Sequence, residues 1–203
     1  MRSFEASQDI QASIEAAWSC MVAVEAWPAW LPTVRSVEPL QDGPLAVGSR
    51  YRLRQPRLPS AVWRVTELEP GRSFAWESRS PGSVGVGEHC LTARGPDACT
   101  AHLRLTLDGP LSGVVAWLGG RRIGDYVATE ARSLREIAEL RSNALCAYCG
   151  QRIRASAIEP MRIAIELPDG GRQALHSHVD CMGKALHPGT LWLSKSDWER
   201  PNS

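Results

Sequence analysis

Apolar positions recur through residues 113–141 with the period of a helix. Ile123, Val127, Leu134, Ile137 and Ala138 form one stripe with Glu130 and Ala131 between them, and Arg121, Arg122, Asp125, Arg132, Arg135 and Glu139 mostly take the other faces. Such a helix would be roughly 40 Å long if straight, at 1.5 Å per residue. Gly119-Gly120 is expected to kink or interrupt it. Each buried side chain of the stripe is worth about 1.5–3 kcal/mol, so the helix must lie against a large partner surface.

Upstream, the pattern changes period. Residues 3–12 read as a strand, and Ser13 is placed to cap a helix that carries Trp18, Met21 and Val22 on one face. Pro28 suits the first turn of a second short helix, which Pro32 ends. Residues 34–40, 49–55, 61–69, 73–78, 84–93 and 99–107 then read as strands joined by short turns, which predicts an antiparallel meander of six. In the second of these, Tyr51 and Leu53 share one face, while Arg50, Arg52 and Arg54 share the other. The long helix follows, so the order is strand, two helices, strands, helix.

That order coincides with Trp27-Pro28-Ala29-Trp30, Val47-Gly48-Ser49, Val62-Trp63-Arg64-Val65 and Glu69-Pro70-Gly71-Arg72-Ser73-Phe74-Ala75-Trp76. Together these resemble the SRPBCC or START-like superfamily, often labelled polyketide cyclase/dehydrase-like, over about residues 1–142. The resemblance implies an α+β helix-grip fold in which a curved antiparallel sheet holds the C-terminal helix and encloses a deep apolar cavity. It also implies a small hydrophobic or amphipathic ligand, since the family includes lipid carriers, hormone receptors and aromatase/cyclases.

A different chemistry follows the helix. Cys146-x2-Cys149 is matched by His178-x2-Cys181, with 28 residues between the pairs. Three thiolates and an imidazole suit tetrahedral zinc, and four protein ligands close the shell, which makes the ion structural. Residues 161–167 and 172–175 flank Pro168-Asp169-Gly170-Gly171 and read as a hairpin, and residues 178–186 read as a helix starting at its ligands, with Val179, Met182 and Leu186 inward. The predicted second domain is therefore a small treble-clef-like zinc finger with a C-terminal tail, residues 143–203. The ligand spacing, Ile153, Arg162-Ile163-Ala164-Ile165, Asp169-Gly170 and Trp192 resemble the zinc finger of poly(ADP-ribose) polymerases, which binds DNA breaks. Leu175-His176-Ser177 stands where that finger usually carries aromatic residues.

Charge decides between partners for this finger. Residues 1–142 hold 16 basic and 16 acidic side chains, and residues 143–203 hold 7 and 6. Neither part has the positive excess that drives phosphate-backbone binding, so a protein partner is favoured over nucleic acid. The chain has 203 residues and is 43% hydrophobic, which supports a real core. No apolar run reaches the length of a membrane span or a signal peptide, so the expected location is cytoplasmic and the six Cys are expected as thiols or ligands.

Within the first domain, His89 falls mid-strand, where it serves either as a general acid/base, as a ligand-binding group or as an ordinary satisfied sheet histidine. Tyr51, Trp63 and Trp76 are candidates to line a ligand pocket, or to pack the core. Arg52 and Arg54 are expected in solvent, and Cys20, Cys90 and Cys99 as small core or surface residues. The expected function is binding of a small apolar or amphipathic molecule, with the zinc module docking a partner. The alternatives are a cyclase or dehydrase acting through His89, and DNA-break binding through the finger.

Overall fold

The alternating segments form a seven-stranded antiparallel sheet in the computed structural model of the chain, which describes residues 1–153, 161–166 and 172–186. The strands are β1 (Arg2–Ile10), β2 (Ser36–Pro39), β3 (Arg50–Arg54), β4 (Ala61–Glu69), β5 (Ser73–Ser80), β6 (Ser83–Gly95) and β7 (Ala98–Asp108). Their order is β1-β7-β6-β5-β4-β3-β2, a meander whose last strand returns beside the first. Register shifts at Val65/Glu67 in β4 and Ala93/Gly95 in β6 add local twist and bend the sheet. One face carries Tyr51, Leu53, Val65, Phe74, Trp76, His89, Leu91 and Leu103, all buried. Arg52 and Arg104 occupy the other face, half exposed, against Glu38 and Glu5.

Helix α1 (Ile14–Val22) starts as expected, with the Ser13 hydroxyl accepting from the Ala16 N–H at 3.3 Å. Its buried face is only partly the one its bulky residues suggest. Ala16, Ala17, Cys20 and Met21 are buried, while Trp18 and Val22 are only partly covered. Small side chains let the helix approach the sheet closely, and that outweighs the larger apolar area of Trp18. The second short helix is a 3-10 segment, Val24–Ala29, with Pro28 inside it and not in its first turn. The indole N–H of Trp27 donates to the Met21 carbonyl at 3.1 Å and turns that ring into the core.

Helix α2 (Ser112–Ser142) runs unbroken through Gly119-Gly120, contrary to the expected interruption. The glycines serve packing instead. A Cβ on Gly120 would lie 3.3 Å from Phe4 Cζ, so its absence lets β1 and the helix approach. Ile123, Val127, Ala131, Leu134 and Ala138 are buried at the spacings of one helical face, and Ile137 is half-buried beside them. Leu103, Val127 and Ala131 join Phe4, Ala6 and Leu105 in one core cluster.

The chain divides into two units, Met1–Glu139 and Leu140–Ser203. In the second, β8 (Met161–Glu166) and β9 (Arg172–Ser177) form an antiparallel hairpin, followed by α3 (Val179–Ala185). A short turn at Cys146–Cys149 is pinned by bridges Leu145↔Arg152 and Cys146↔His176. Turn, hairpin and helix make the treble-clef arrangement expected from the ligand spacing. Among its described residues Ala144, Cys146, Ile153 and Val179 are the buried apolar ones. The predicted turn at 167–171 and Trp192 lie outside the described residues. Among the described residues no helix is long and apolar enough to cross a membrane.

Candidate functional site

Antiparallel pairing of β5 with β6 sets Phe74 opposite His89 and Trp76 opposite Gly87. The Phe74 and His89 rings stack, with centroids 4.2 Å apart and planes 6° from parallel. Trp76 stands edge-on to both, at 5.5 Å from Phe74 and 5.7 Å from His89. Trp63 of β4 and Trp27 of the 3-10 segment close the group, each 5.3 Å from Trp76. Gly87 is required where it is: a Cβ there would meet Trp76 Nε1 at 2.6 Å. The chain thus places four aromatic side chains around one imidazole.

That imidazole is 5% exposed and has a partner on α2. His89 Nε2 lies 2.8 Å from Glu130 Oε1, whose side chain is 20% exposed. An ionised carboxylate only accepts, so Nε2 carries the proton and donates. Among the described residues His89 Nδ1 has no hydrogen-bond partner, and neither has Trp63 Nε1. A buried polar atom without a partner marks a place for a ligand atom or a water. Both residues line a cavity of about 70 Å³ together with Trp27, Trp76, Leu103, Val127 and Glu130. The indoles of Trp27, Trp63 and Trp76 form much of the wall of this space.

The other candidate side chains fall elsewhere. Tyr51 is buried on the same sheet face but lines a separate groove with Trp18, Val22 and Leu68. Its neighbour on that face, Leu53, borders the cavity instead. Cys20 and Cys99 are buried and Cys90 is half-buried. Burial, helped by Glu15, pushes the Cys99 thiol up to about 11, so it stays protonated.

In the second unit the four spaced ligands converge. Donor atoms of Cys146, Cys149, His178 and Cys181 all lie within 4.8 Å of one another, and the cluster can hold a metal ion. His178 Nδ1 is 3.5 Å from the Cys149 sulfur and 3.7 Å from that of Cys181. A tetrahedral zinc bonded at roughly 2.3 Å to sulfur and 2.1 Å to nitrogen keeps such atoms about 3.6 Å apart, so the donor set fits. Burial raises the Cys146 thiol, but backbone N–H groups of Cys149, His178 and Tyr148 outweigh it and bring it down to about 6. Burial, reinforced by the Cys149 and Cys146 sulfurs, pushes Cys181 up to about 11. The cluster therefore favours ionisation at Cys146 and resists it at Cys181. Metal uptake must displace the Cys181 proton, so the apparent affinity is expected to fall as pH is lowered. Calorimetric zinc titrations in buffers of different ionisation enthalpy check this: at least one proton per ion is expected, and none released would contradict it.

A family described as "Polyketide cyclase / dehydrase and lipid transport" matches residues 1–139. The chain belongs to this family. Curated proteins give no match to the sequence. Solved structures share the fold at low identity. The Zhui aromatase/cyclase from Streptomyces sp. R1128 is 16% identical with a TM-score of 0.59, over 69% of this chain and 94% of that one. A START superfamily protein from Mycobacterium smegmatis is 19% identical with a TM-score of 0.53, over 68% and 97%. Norcoclaurine synthase from Thalictrum flavum is 12% identical with a TM-score of 0.53, over 68% and 93%.

For a polyketide cyclase/dehydrase and lipid-transport domain, the residue that sequence reasoning missed is Glu130. Its signal was present: Glu130 sits three positions after Val127, inside the buried stripe of α2, where a carboxylate needs a partner. His89 is that partner, 41 residues away in sequence.

Proposed function

We propose that the N-terminal domain binds a small, largely apolar molecule bearing a hydroxyl or carbonyl group, which His89 and Trp63 recognise. The observation that carries this reading is the buried His89–Glu130 pair, with Nδ1 left unpartnered beside an aromatic-walled cavity. An apolar wall with few polar atoms is the usual composition of a small-molecule site.

The same pair favours a second reading. A carboxylate that fixes the imidazole tautomer leaves the other ring nitrogen as a base, the arrangement used for proton transfer to and from substrates. His89 Nδ1 would take or return a proton on a bound polyketide-like substrate, making the domain a cyclase or dehydrase. One experiment addresses both readings. Small phenols and aryl ketones are titrated while tryptophan emission is followed, and recovered compounds are analysed by mass spectrometry. Saturable binding at millimolar concentration or below is expected, weakened about tenfold in Glu130→Ala, since a charge-assisted hydrogen bond is worth roughly 1.5–3 kcal/mol. Binding with unchanged compounds supports the first reading, and chemical conversion lost in His89→Gln supports the second. Emission unchanged by every compound would reject both.

For the second unit the favoured ion is zinc in a structural role, because sulfur-rich tetrahedral sites with four protein ligands select it and leave no open position. A finger of the poly(ADP-ribose) polymerase type would point to DNA ends. The near-balanced charge of residues 143–203 instead favours a protein surface as its partner. Thiol ligands of this kind suit a reducing compartment, the cytoplasm.

A further inference from the structure

We propose that an open groove beside the cavity reads the carboxylate end of an amphipathic ligand whose apolar end enters the aromatic cage. This rests on the ligand-binding reading above and adds the chemical class of the ligand. The groove, about 670 Å³, lies between the β3–β4 loop at Pro56-Arg57 and α2, where Arg121, Arg122 and Asp125 border it. Tyr126 lines both the groove and the inner cavity, so the two spaces adjoin at a single side chain.

Two bonds cross that junction. The Tyr126 hydroxyl donates to the Pro56 carbonyl, and Arg122 Nη1 donates to the Arg57 carbonyl at 3.4 Å. Releasing the first frees the tyrosine ring to swing, which joins 70 Å³ of aromatic-walled space to the larger groove outside. Only the tip of a ligand fits within the cage, so most of its length lies in the groove.

Charge in the groove is uneven. Arg57, Arg121 and Arg122 face one carboxylate, Asp125, in a domain whose charges balance as a whole. Elsewhere Arg52, Arg72, Arg79, Arg94 and Arg104 are ion-paired, with Glu38, Glu69, Glu77, Asp9 and Glu5 in turn. Among the described residues none of the three groove arginines has an ion pair. Unpaired guanidinium groups are ready donors for a carboxylate. Asp125 opposes a doubly charged group, which favours a carboxylate over a phosphate monoester.

The test compares 6-phenylhexanoate with 6-phenylhexanol by calorimetry on the full chain. The acid is expected to bind at least tenfold more tightly at 50 mM salt, and the margin should shrink at 0.5 M salt. In Arg57→Gln/Arg121→Gln, two exposed positions, the margin should collapse toward unity. Equal affinity for acid and alcohol in the wild type overturns the arginine reading while leaving the cage reading standing. A margin that survives the double substitution or high salt also overturns it. Failure of both compounds to bind removes the cage reading and this inference with it.

Discussion

Stripping zinc from the protein is expected to unfold residues 146–186 and leave Met1–Glu139 folded. The magnitudes make this the largest effect available in the chain. Ile153 and Val179, the large aliphatic side chains fully buried among the described residues of the second unit, contribute roughly 1.5–3 kcal/mol each. Fixing each residue's backbone costs about 1–2 kcal/mol, so that core alone orders only a handful of residues. Binding of structural zinc in finger peptides supplies about 10–16 kcal/mol near neutral pH, several times what those two side chains contribute. The first unit has no such dependence, since its core runs through the whole sheet and α2. Elemental analysis should find one zinc per chain, and none in Cys146→Ser. Hydrogen exchange before and after chelation then separates the units. Amides of β8, β9 and α3 should lose protection while those of β5, β6 and β7 keep theirs. Simultaneous loss in both units, or none in either, would contradict the account.

What the sequence made legible depended on how local the cause was. Arg50-Tyr51-Arg52-Leu53-Arg54 alternates so strictly that strand and facing follow from period alone, and Tyr51 and Leu53 are indeed buried. The metal cluster was readable because each pair sits two residues apart, and the hairpin between them needs only to return the chain. The buried side of α1 was only partly legible, since Met21 is buried but so are Ala16, Ala17 and Cys20, which gain by close approach, a quantity no hydrophobicity scale assigns to small residues. Gly119-Gly120 was misread for a related reason. A glycine pair weakens a helix locally, yet here Phe4 of a strand more than a hundred residues earlier packs against Gly120. The His89–Glu130 bond is non-local in the same way, since it exists only once α2 crosses the middle of the sheet. Cavity volume was the least accessible of all. It depends on how three indoles interlock, and a family resemblance carries the fold without carrying those rotamers.

Trp76→Ala tests directly whether those indoles form a wall or a filling. Trp76 is 4% exposed and touches Trp27, Trp63, Phe74 and His89, so its loss removes the ring on which the others lean. Truncating a buried tryptophan costs about 3–5 kcal/mol when the surroundings relax only partly. For a unit of this size that lowers the melting temperature by roughly 10–20 °C. The void would open onto the existing cavity and stay apolar, and apolar voids of this kind accept aromatic guests. Indole restores the missing atoms, so it should raise the melting temperature of the variant and leave the wild type unchanged. A guest at a hundredfold its Kd returns about 2.7 kcal/mol, more than half of the expected loss. Differential scanning calorimetry with and without indole gives the answer. If the variant is destabilised but indifferent to indole, Trp27, Trp63 and Phe74 have closed over the gap, and the group is a deformable core. If indole rescues it, the surrounding side chains hold their positions without the central ring, which is the property a ligand cavity at His89 needs.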